Sequence, residues 1–328
     1  MTSDFEAALL ERREECSAAH RGQLRIGGVA VQVTGSYGTD VIFDPGLELF
    51  RSDAASFDVD IRVEWVAALS PGRGRALFDS GTTWRLWERV DGFQFDFGDP
   101  ITIGQPYKRL LIDSSYRQAV LQMSTRYFAD LPCIVDPLGY PLDELLIMHR
   151  LTQERAIELH GVGIVGPDGA SNLFIGHSGA GKSTTARLWT SLHDVEILSD
   201  DRIIVREDKV REDKVRADKR EDKACQEETQ IFMYGTPWHG EAHFAMPGRA
   251  PLGRIFVLEH GQGNVLTRLT RSQMVAELFA RSFVPFHRHE YVDHALSFLE
   301  RVADTVPCYR YSFEPDDRAV ERILNFRD

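Results

Sequence analysis

Cysteine is scarce in this chain and never clustered. The four that occur, Cys16, Cys133, Cys225 and Cys308, lie far apart with no CxxC pair among them. That excludes a dense disulfide framework and fits reduced thiols in the cytosol. Long apolar runs are missing as well, and no stretch approaches the roughly 18 residues that a membrane-spanning helix needs. The opening residues, Met1 to Glu15, read as an acidic amphipathic helix without the apolar core of a signal peptide. A soluble cytoplasmic protein with no membrane partner is therefore expected. An excess of positive charge is absent too: 38 Lys and Arg stand against 50 Asp and Glu, a net charge of −12. This argues against a non-specific nucleic-acid binder and leaves room only for a local basic pocket.

The composition that remains is that of a folded chain, 43% hydrophobic and 27% charged over 328 residues. That length suits two domains or one large α/β unit. Residues 23–120 read as β-rich. Leu24-Arg-Ile, Val29-Ala-Val-Gln-Val and Val41-Ile-Phe are short strand-like runs, and the segments from Trp84 and from Gly92 alternate on either side of an Asp-Gly turn, a hairpin signal. Leu110-Leu-Ile and the run from Gln118 to Met123 continue the meander. A Pro-rich break over 131–141 precedes helical spacing from Leu142 to Glu154, so the boundary is set between a β-rich domain over 1–135 and a second domain over 136–328. Within the second, residues 206–223 form a tandem five-residue charged repeat with eight basic and seven acidic side chains. With almost nothing apolar to offset the entropy of ordering, it reads as a disordered insert.

One segment carries chemistry. Gly176-His-Ser-Gly-Ala-Gly-Lys-Ser183 fits G-x-x-x-x-G-K-[ST], between a short apolar strand (Leu173-Phe-Ile) and a helix with Ala186, Trp189 and Leu192 on one face. Glycines let backbone N–H groups converge on phosphate oxygens, the lysine reaches the β/γ-phosphates, and the hydroxyl ligates Mg²⁺. The helix N-terminus adds partial positive charge. Gly176, His177, Ser178, Gly179, Ala180, Gly181, Lys182, Ser183 and Thr184 are thus the candidate ATP contacts, with Ser183 on Mg²⁺. Eighteen residues past Lys182, a strand ends in Asp200-Asp201-Arg202. Two adjacent carboxylates beside a phosphate loop suit phosphoryl transfer, one holding the metal and the other accepting the proton of an attacking hydroxyl.

Three blocks in order, His160-Gly161-Val162, Gly176 to Ser183 and Leu198-Ser-Asp-Asp-Arg202, resemble the HPr kinase/phosphorylase group, akin to the phosphoenolpyruvate carboxykinases. The likeness covers about 155–205 well and continues loosely beyond. It implies an α/β fold with a P-loop HPr kinase/PEP carboxykinase-like core behind a separate β-rich N-terminal domain. It also implies Asp200 as general base, Asp201 as metal-shell or orienting partner, His160 near the transferred phosphate, and Arg268 as a phosphate-contacting arginine. Because relatives form rings, it further implies a homo-oligomer.

The family's Glu-Ile-Arg-Gly-Leu-Gly signature is absent. In its place stands Tyr234-Gly-Thr-Pro-Trp-His-Gly-Glu241, which resembles the variant in HPr kinase-like proteins of peptide-modification clusters, including lasso-peptide precursor kinases. HPr is accordingly not the expected substrate, and Glu241 or His239 is expected to take the place of the signature glutamate. A plain Gly/Pro turn with an exposed Trp is the alternative. His239 and His243 mimic a zinc-binding helix only superficially, since the intervening Glu is one position off and Gly240 disfavours a helix.

The expected activity is an ATP- and Mg²⁺-dependent kinase acting on a hydroxyl of a peptide, protein or small molecule. The N-terminal domain and the 234–243 loop are expected to select the acceptor. Two other classes stay open: a non-catalytic nucleotide sensor, which needs only loop and metal, and a carboxykinase acting on a metabolite carboxylate.

Overall fold

Period-two burial builds two separate sheets, one in each half of a mixed α/β chain that is mostly strand with few helices. The computed structural model describes residues 21–36, 41–99, 105–128, 136–210 and 228–327. The expected helix at Met1–Glu15 lies outside them. Among the described residues no helix is long and apolar enough to cross a membrane. The chain divides into two compact units between Gln153 and Glu154.

The first unit contains β1 (Arg21–Ile26), β2 (Val29–Thr34), a single turn α1 (Pro45–Glu48), β3 (Val59–Val66), β4 (Ala76–Asp79), β5 (Trp84–Arg89), β6 (Gly92–Phe97), β7 (Lys108–Asp113), β8 (Gln118–Ser124) and α2 (Leu142–Leu151). Their order in the sheet is β1-β2-β3-β8-β7-β6-β5-β4, with β3 parallel to both β2 and β8. The expected hairpin is β5–β6. Gly92 sits at φ 152°, where a Cβ would lie 2.1 Å from the Ile112 carbonyl oxygen, so only glycine fits that turn. Val41-Ile-Phe is not a strand. It leads into α1, whose first turn is capped by the Asp44 carboxylate accepting from Gly46 N at 2.8 Å, and Phe43 is buried instead as a plug beside Gly22.

Helix α2 buries Leu142, Leu145, Leu146 and His149, and the His149 ring meets Phe95 at 5.0 Å and Tyr116 at 5.4 Å. It therefore belongs to the first unit, and the boundary falls 18 residues later than the 135/136 expected from the Pro-rich break. Before α2, the buried Lys108 ammonium donates to the carbonyls of Gly139 at 2.9 Å and Pro137 at 3.4 Å. Burial pushes its pKa down to about 8.

The second unit holds β9 (Ala156–Val165), β10 (Ser171–Ile175), α3 (Lys182–Trp189), β11 (Glu196–Ser199), β12 (Arg202–Lys209), β13 (Thr229–Tyr234), β14 (Arg249–Pro251), β15 (Arg254–His260), β16 (Val265–Arg268), α4 (Arg271–Phe279), β17 (Ser282–Phe283), α5 (His289–Thr305), β18 (Cys308–Phe313) and α6 (Asp317–Leu324). The sheet runs β14-β13-β12-β9-β10-β15-β18-β16, and β11 and β17 also pair with β9. Strands β10, β15 and β18 are mutually parallel, and the central two carry short apolar runs buried on both faces, Leu173–Ile175 and Ile255–Leu258. Leu173, Ile175, Ile255 and Val257 point to one core with Met274, Leu278 and Leu299 of α4 and α5. Phe174, Phe256 and Leu258 point to another with Ala186, Trp189 and Val320 of α3 and α6. Helices thus cover both faces of the sheet.

The first copy of the charged repeat is not a disordered insert. Arg206 to Lys209 continue β12 in register with β13, and their side chains are used: Arg206 pairs with Glu154, Glu207 takes Arg155 and Arg301, and Asp208 accepts from Tyr234 Oη at 2.8 Å. Ladder hydrogen bonds and ion pairs supply what apolar burial does not. The rest of the repeat, from Arg211 to Lys223, lies outside the described residues.

Candidate active site

Strand β10 ends at Ile175 and the chain curls through Gly176–Gly181 into α3. Gly179 and Gly181 adopt φ of 80° and 101°, the left-handed region that L side chains resist. A Cβ on Gly181 would lie 2.5 Å from Phe313 Cζ, and one on Gly176 2.7 Å from the Ala180 Cβ. Glycine is thus required where the curl is tightest, and within the curl the Ala180 N–H donates to the His177 carbonyl at 3.0 Å. Lys182 is the first helical residue, and its buried ammonium donates to the carbonyls of Gly176 at 3.0 Å and His177 at 2.9 Å. Burial lowers its pKa to about 8; the nearby Arg202 and Arg281 add to the fall, while Asp201 opposes it. All nine expected nucleotide contacts, Gly176 to Thr184, lie on this loop and the first turn of α3.

The Asp pair stands at the end of β11, but the two carboxylates point to different tasks. Asp200 is 1% exposed. Its Oδ1 accepts from the amides of Gly240 at 2.9 Å and Phe244 at 3.2 Å, and its Oδ2 from Ala242 at 2.8 Å. Three alternate N–H groups wrapped on one buried carboxylate fix the whole 239–244 loop, helped by Thr236 Oγ1 donating to Arg202 O at 2.7 Å. Asp200, expected as the general base, is thus seen as the anchor of that loop, with both oxygens accepting from amides and little contact with solvent.

Asp201 is the carboxylate in the open site. Its side chain is 26% exposed, is ion-paired with Arg202, and lies 3.2 Å from His160 Nδ1. Burial disfavours its ionisation, but the His160 hydrogen bond and the charges of Arg202 and Lys182 outweigh burial and hold its pKa below the ordinary carboxylate range. His160 is set on β9 opposite Arg202 on β12, and the Arg202 guanidinium stacks 4.1 Å over the Phe283 ring and approaches Glu158 at 3.4 Å.

Arg268 is elsewhere. It pairs with Tyr309 on β18, which makes β16 the third strand from β10, roughly 14 Å away at ordinary strand spacing. The arginine at the loop is Arg281, just before β17, whose guanidinium donates to His177 Nε2 at 3.0 Å and to Glu277 at 2.5 Å. Nothing in the sequence distinguished it, because the contact spans 104 positions. Another unexpected contributor is His260 at the end of β15, whose Nε2 lies 2.7 Å from the Gly179 carbonyl oxygen.

The 234–243 segment does reach the site. Gly240 packs so closely that a Cβ would be 3.3 Å from the Asp201 Cβ, and Trp238 is buried rather than exposed. His239 and Glu241 are on its exposed side, where the His239 and His243 rings lie 4.7 Å apart on a non-helical loop. In the first unit, a separate cavity of about 270 Å³ under the β4–β5 hairpin is lined by Trp84, Trp87, Asp79, Asp96 and Asp99.

The arrangement offers a glycine loop, a lysine, two arginines, a half-open carboxylate and a hydroxyl at the start of α3. The donor set of Ser183 and Asp201, both oxygen ligands, suits a hard divalent cation such as Mg²⁺. No family model matches the chain, and no curated protein matches it.

Proposed function

We propose that the second unit is an ATP- and Mg²⁺-dependent phosphotransferase of the HPr kinase/PEP carboxykinase-like kind, acting on an acceptor hydroxyl. The observation that carries this reading is that Lys182 and Asp201 share one space: each is close enough to shift the other's proton affinity, with His160, Arg202 and Arg281 around them. A binding module needs the glycine loop alone; a carboxylate kept ionised beside the lysine is what transfer to a hydroxyl requires.

In this reaction the acceptor oxygen forms a bond to the γ-phosphorus while the bond from that phosphorus to the β–γ bridging oxygen breaks, giving ADP and a phosphoester. The hydroxyl proton goes to the Asp201 carboxylate. Loop amides, Lys182 and Arg281 stabilise charge on the phosphoryl oxygens. His160 and Arg202 hold the Asp201 side chain in position, and Asp200 holds the 239–244 loop against it. Ser183 is the residue that would hold Mg²⁺, with Asp201 left for the proton, and the ion would supply charge neutralisation across the phosphates when bound. The 239–241 edge is the surface beside the site available for choosing the acceptor.

The test is turnover with ATP and Mg²⁺ in the presence of seryl peptides, free serine or sugars, followed by mass spectrometry. The reading expects an acceptor that gains one phosphoryl group, and a product that disappears in Lys182→Ala. ATP binding without phosphorylation of any acceptor class would turn the assignment towards a nucleotide sensor.

A further inference from the structure

The proposed reaction concerns the end of the nucleotide that reacts; the sheet also says where the other end lies. Along the carboxyl edge of the parallel strands, β10 has β9 on one side and β15 on the other. His160, Asp201 and Arg202 all stand on the β9 side of the glycine loop: Gly161 is opposite Ile175, and Arg202 opposite His160. A triphosphate whose γ-phosphate faces those groups must run across the loop towards β15. Two strand spacings, about 10 Å, separate the two flanks, a distance that a triphosphate and its ribose together span.

On the β15 flank stands His260. Val257 pairs with Ile175, so His260, three residues on, rises past the point where β10 turns into the loop. A carbonyl oxygen only accepts, so the 2.7 Å contact with Gly179 has the His260 Nε2–H donating to the loop. One face of the imidazole lies over Phe313, with ring centroids 6.2 Å apart and planes 21° from parallel, and Phe313 is itself buried beneath Gly181. The residue is nonetheless exposed, so its outer face meets solvent. The rim around it is braced: Gly261 N donates to Phe313 O at 3.3 Å, Gly263 N to Glu314 Oε1 at 3.1 Å, and Glu314 N to Asn264 Oδ1 at 2.9 Å. An exposed imidazole held rigid by a hydrogen bond, a buried ring and a braced turn is preorganised to receive a flat ligand, with no ordering cost left to meet on binding.

We infer that the outer face of His260 is the stacking platform for the purine base of the bound nucleoside triphosphate. The inference rests on the nucleotide reading above and adds the base subsite to it. Because a π-face is common to every purine, stacking of this kind does not read the base edge, and ATP and GTP are expected to bind comparably.

Calorimetric titration of the full chain with Mg²⁺ and, separately, ATP, GTP and inorganic tripolyphosphate tests it. Tripolyphosphate carries the phosphates but no base. In His260→Ala the affinities for ATP and GTP should both fall roughly 5- to 150-fold, the range observed for losing one base–aromatic stack, while that for tripolyphosphate stays within about twofold. His260→Phe, which keeps a ring but cannot donate to Gly179, should restore ATP binding. If His260→Ala weakens tripolyphosphate as much as ATP, the imidazole merely pins the loop and the base subsite is refuted. Unchanged ATP affinity in His260→Ala refutes it as well. The nucleotide reading has its own control: wild-type protein that binds none of the three ligands overturns both, whereas wild-type binding with the wrong pattern in the variants overturns only the subsite.

Discussion

Asp200→Asn is nearly isosteric but exchanges one acceptor oxygen for a donating NH₂, and the geometry around Asp200 makes that exchange expensive. Two of the three amides, Gly240 and Phe244, share Oδ1, and Ala242 alone uses Oδ2. The best orientation of an asparagine keeps the shared oxygen and turns its NH₂ onto the Ala242 N–H, donor against donor. One charge-assisted hydrogen bond is lost, about 1.5–3 kcal/mol, and the two that remain weaken because their acceptor is no longer ionised. The sum is about 2–4 kcal/mol, or a fall of roughly 4–16 °C in melting temperature for a domain of this size.

Asp201→Asn behaves differently. That side chain is partly open to solvent and its ion pair with Arg202 is part of the site rather than of the core, so stability should change less than in Asp200→Asn. Turnover should instead drop by about 10²–10⁴, the contribution of a positioned general base, with nucleotide affinity largely kept. Thermal melts, calorimetric nucleotide titration and turnover on the two variants side by side decide the matter. An Asp200→Asn protein that melts like wild type yet transfers no phosphoryl group would refute the division of roles, as would an Asp201→Asn protein with full turnover.

Lys182 has its pKa lowered to about 8 in the free protein, and a triphosphate favours its charged form. Nucleotide affinity should therefore hold below pH 8 and decline above it, with proton uptake on binding near pH 8.5, measurable as a buffer-dependent calorimetric heat. Gly181→Ala adds a Cβ 2.5 Å from the buried Phe313 ring to a left-handed backbone, whereas Gly179→Ala meets only open space at φ 80°. The second should cost about 1–2 kcal/mol and the first about 1–3 kcal/mol more, which urea unfolding would show. Lys108 has a folded pKa of about 8 against 10.5 unfolded, so the unfolded chain binds more protons between those values and stability rises with pH across that window. Denaturation of wild type at pH 7.5 and pH 9.5 should show the gain, and Lys108→Met should abolish that difference. Cys308 is buried, and burial together with the nearby Glu277 charge pushes its thiol up to about 12. Its peptide should stay unlabelled by thiol reagents, as followed by mass spectrometry, until the protein is unfolded.

What was legible from the sequence was whatever depends on neighbours along the chain. The β5–β6 hairpin announces itself because alternation and an Asp-Gly pair are local properties, and the glycine loop because its three glycine positions and Lys182 lie within eight residues. The strand Val59–Val66 went unread although its first residues alternate, and the short edge strand Ala76–Asp79 has too few residues to show a period. What could not be read depends on contacts across the sheet. Arg281 reaches the loop and Arg268 does not, because β17 returns to pair with β9 whereas β16 pairs with β18 on the far side. The first repeat unit, Arg206–Lys209, looked unfoldable on composition, and it is ordered because Glu154 and Arg155, Tyr234 and Arg301 arrive from three other places in the second unit.

The different placements of the two aspartates follow from the same cause. Successive side chains at a strand end point to opposite sides, so an Asp-Asp pair at the mouth of β11 must send one carboxylate inward and the other towards the site. Which one goes inward is decided by what can meet it there, since a buried carboxylate needs several donors to hold its charge. The 239–244 loop supplies them: its alternate amides, with Gly240 free of a Cβ and His243 at φ 62°, close around Asp200. The inward aspartate thus makes the loop, and the loop presses Gly240 against the outward one. On the proposed reaction, changing the inward aspartate should cost the site its edge and changing the outward one its chemistry, so two neighbouring residues of one type should fail in different assays.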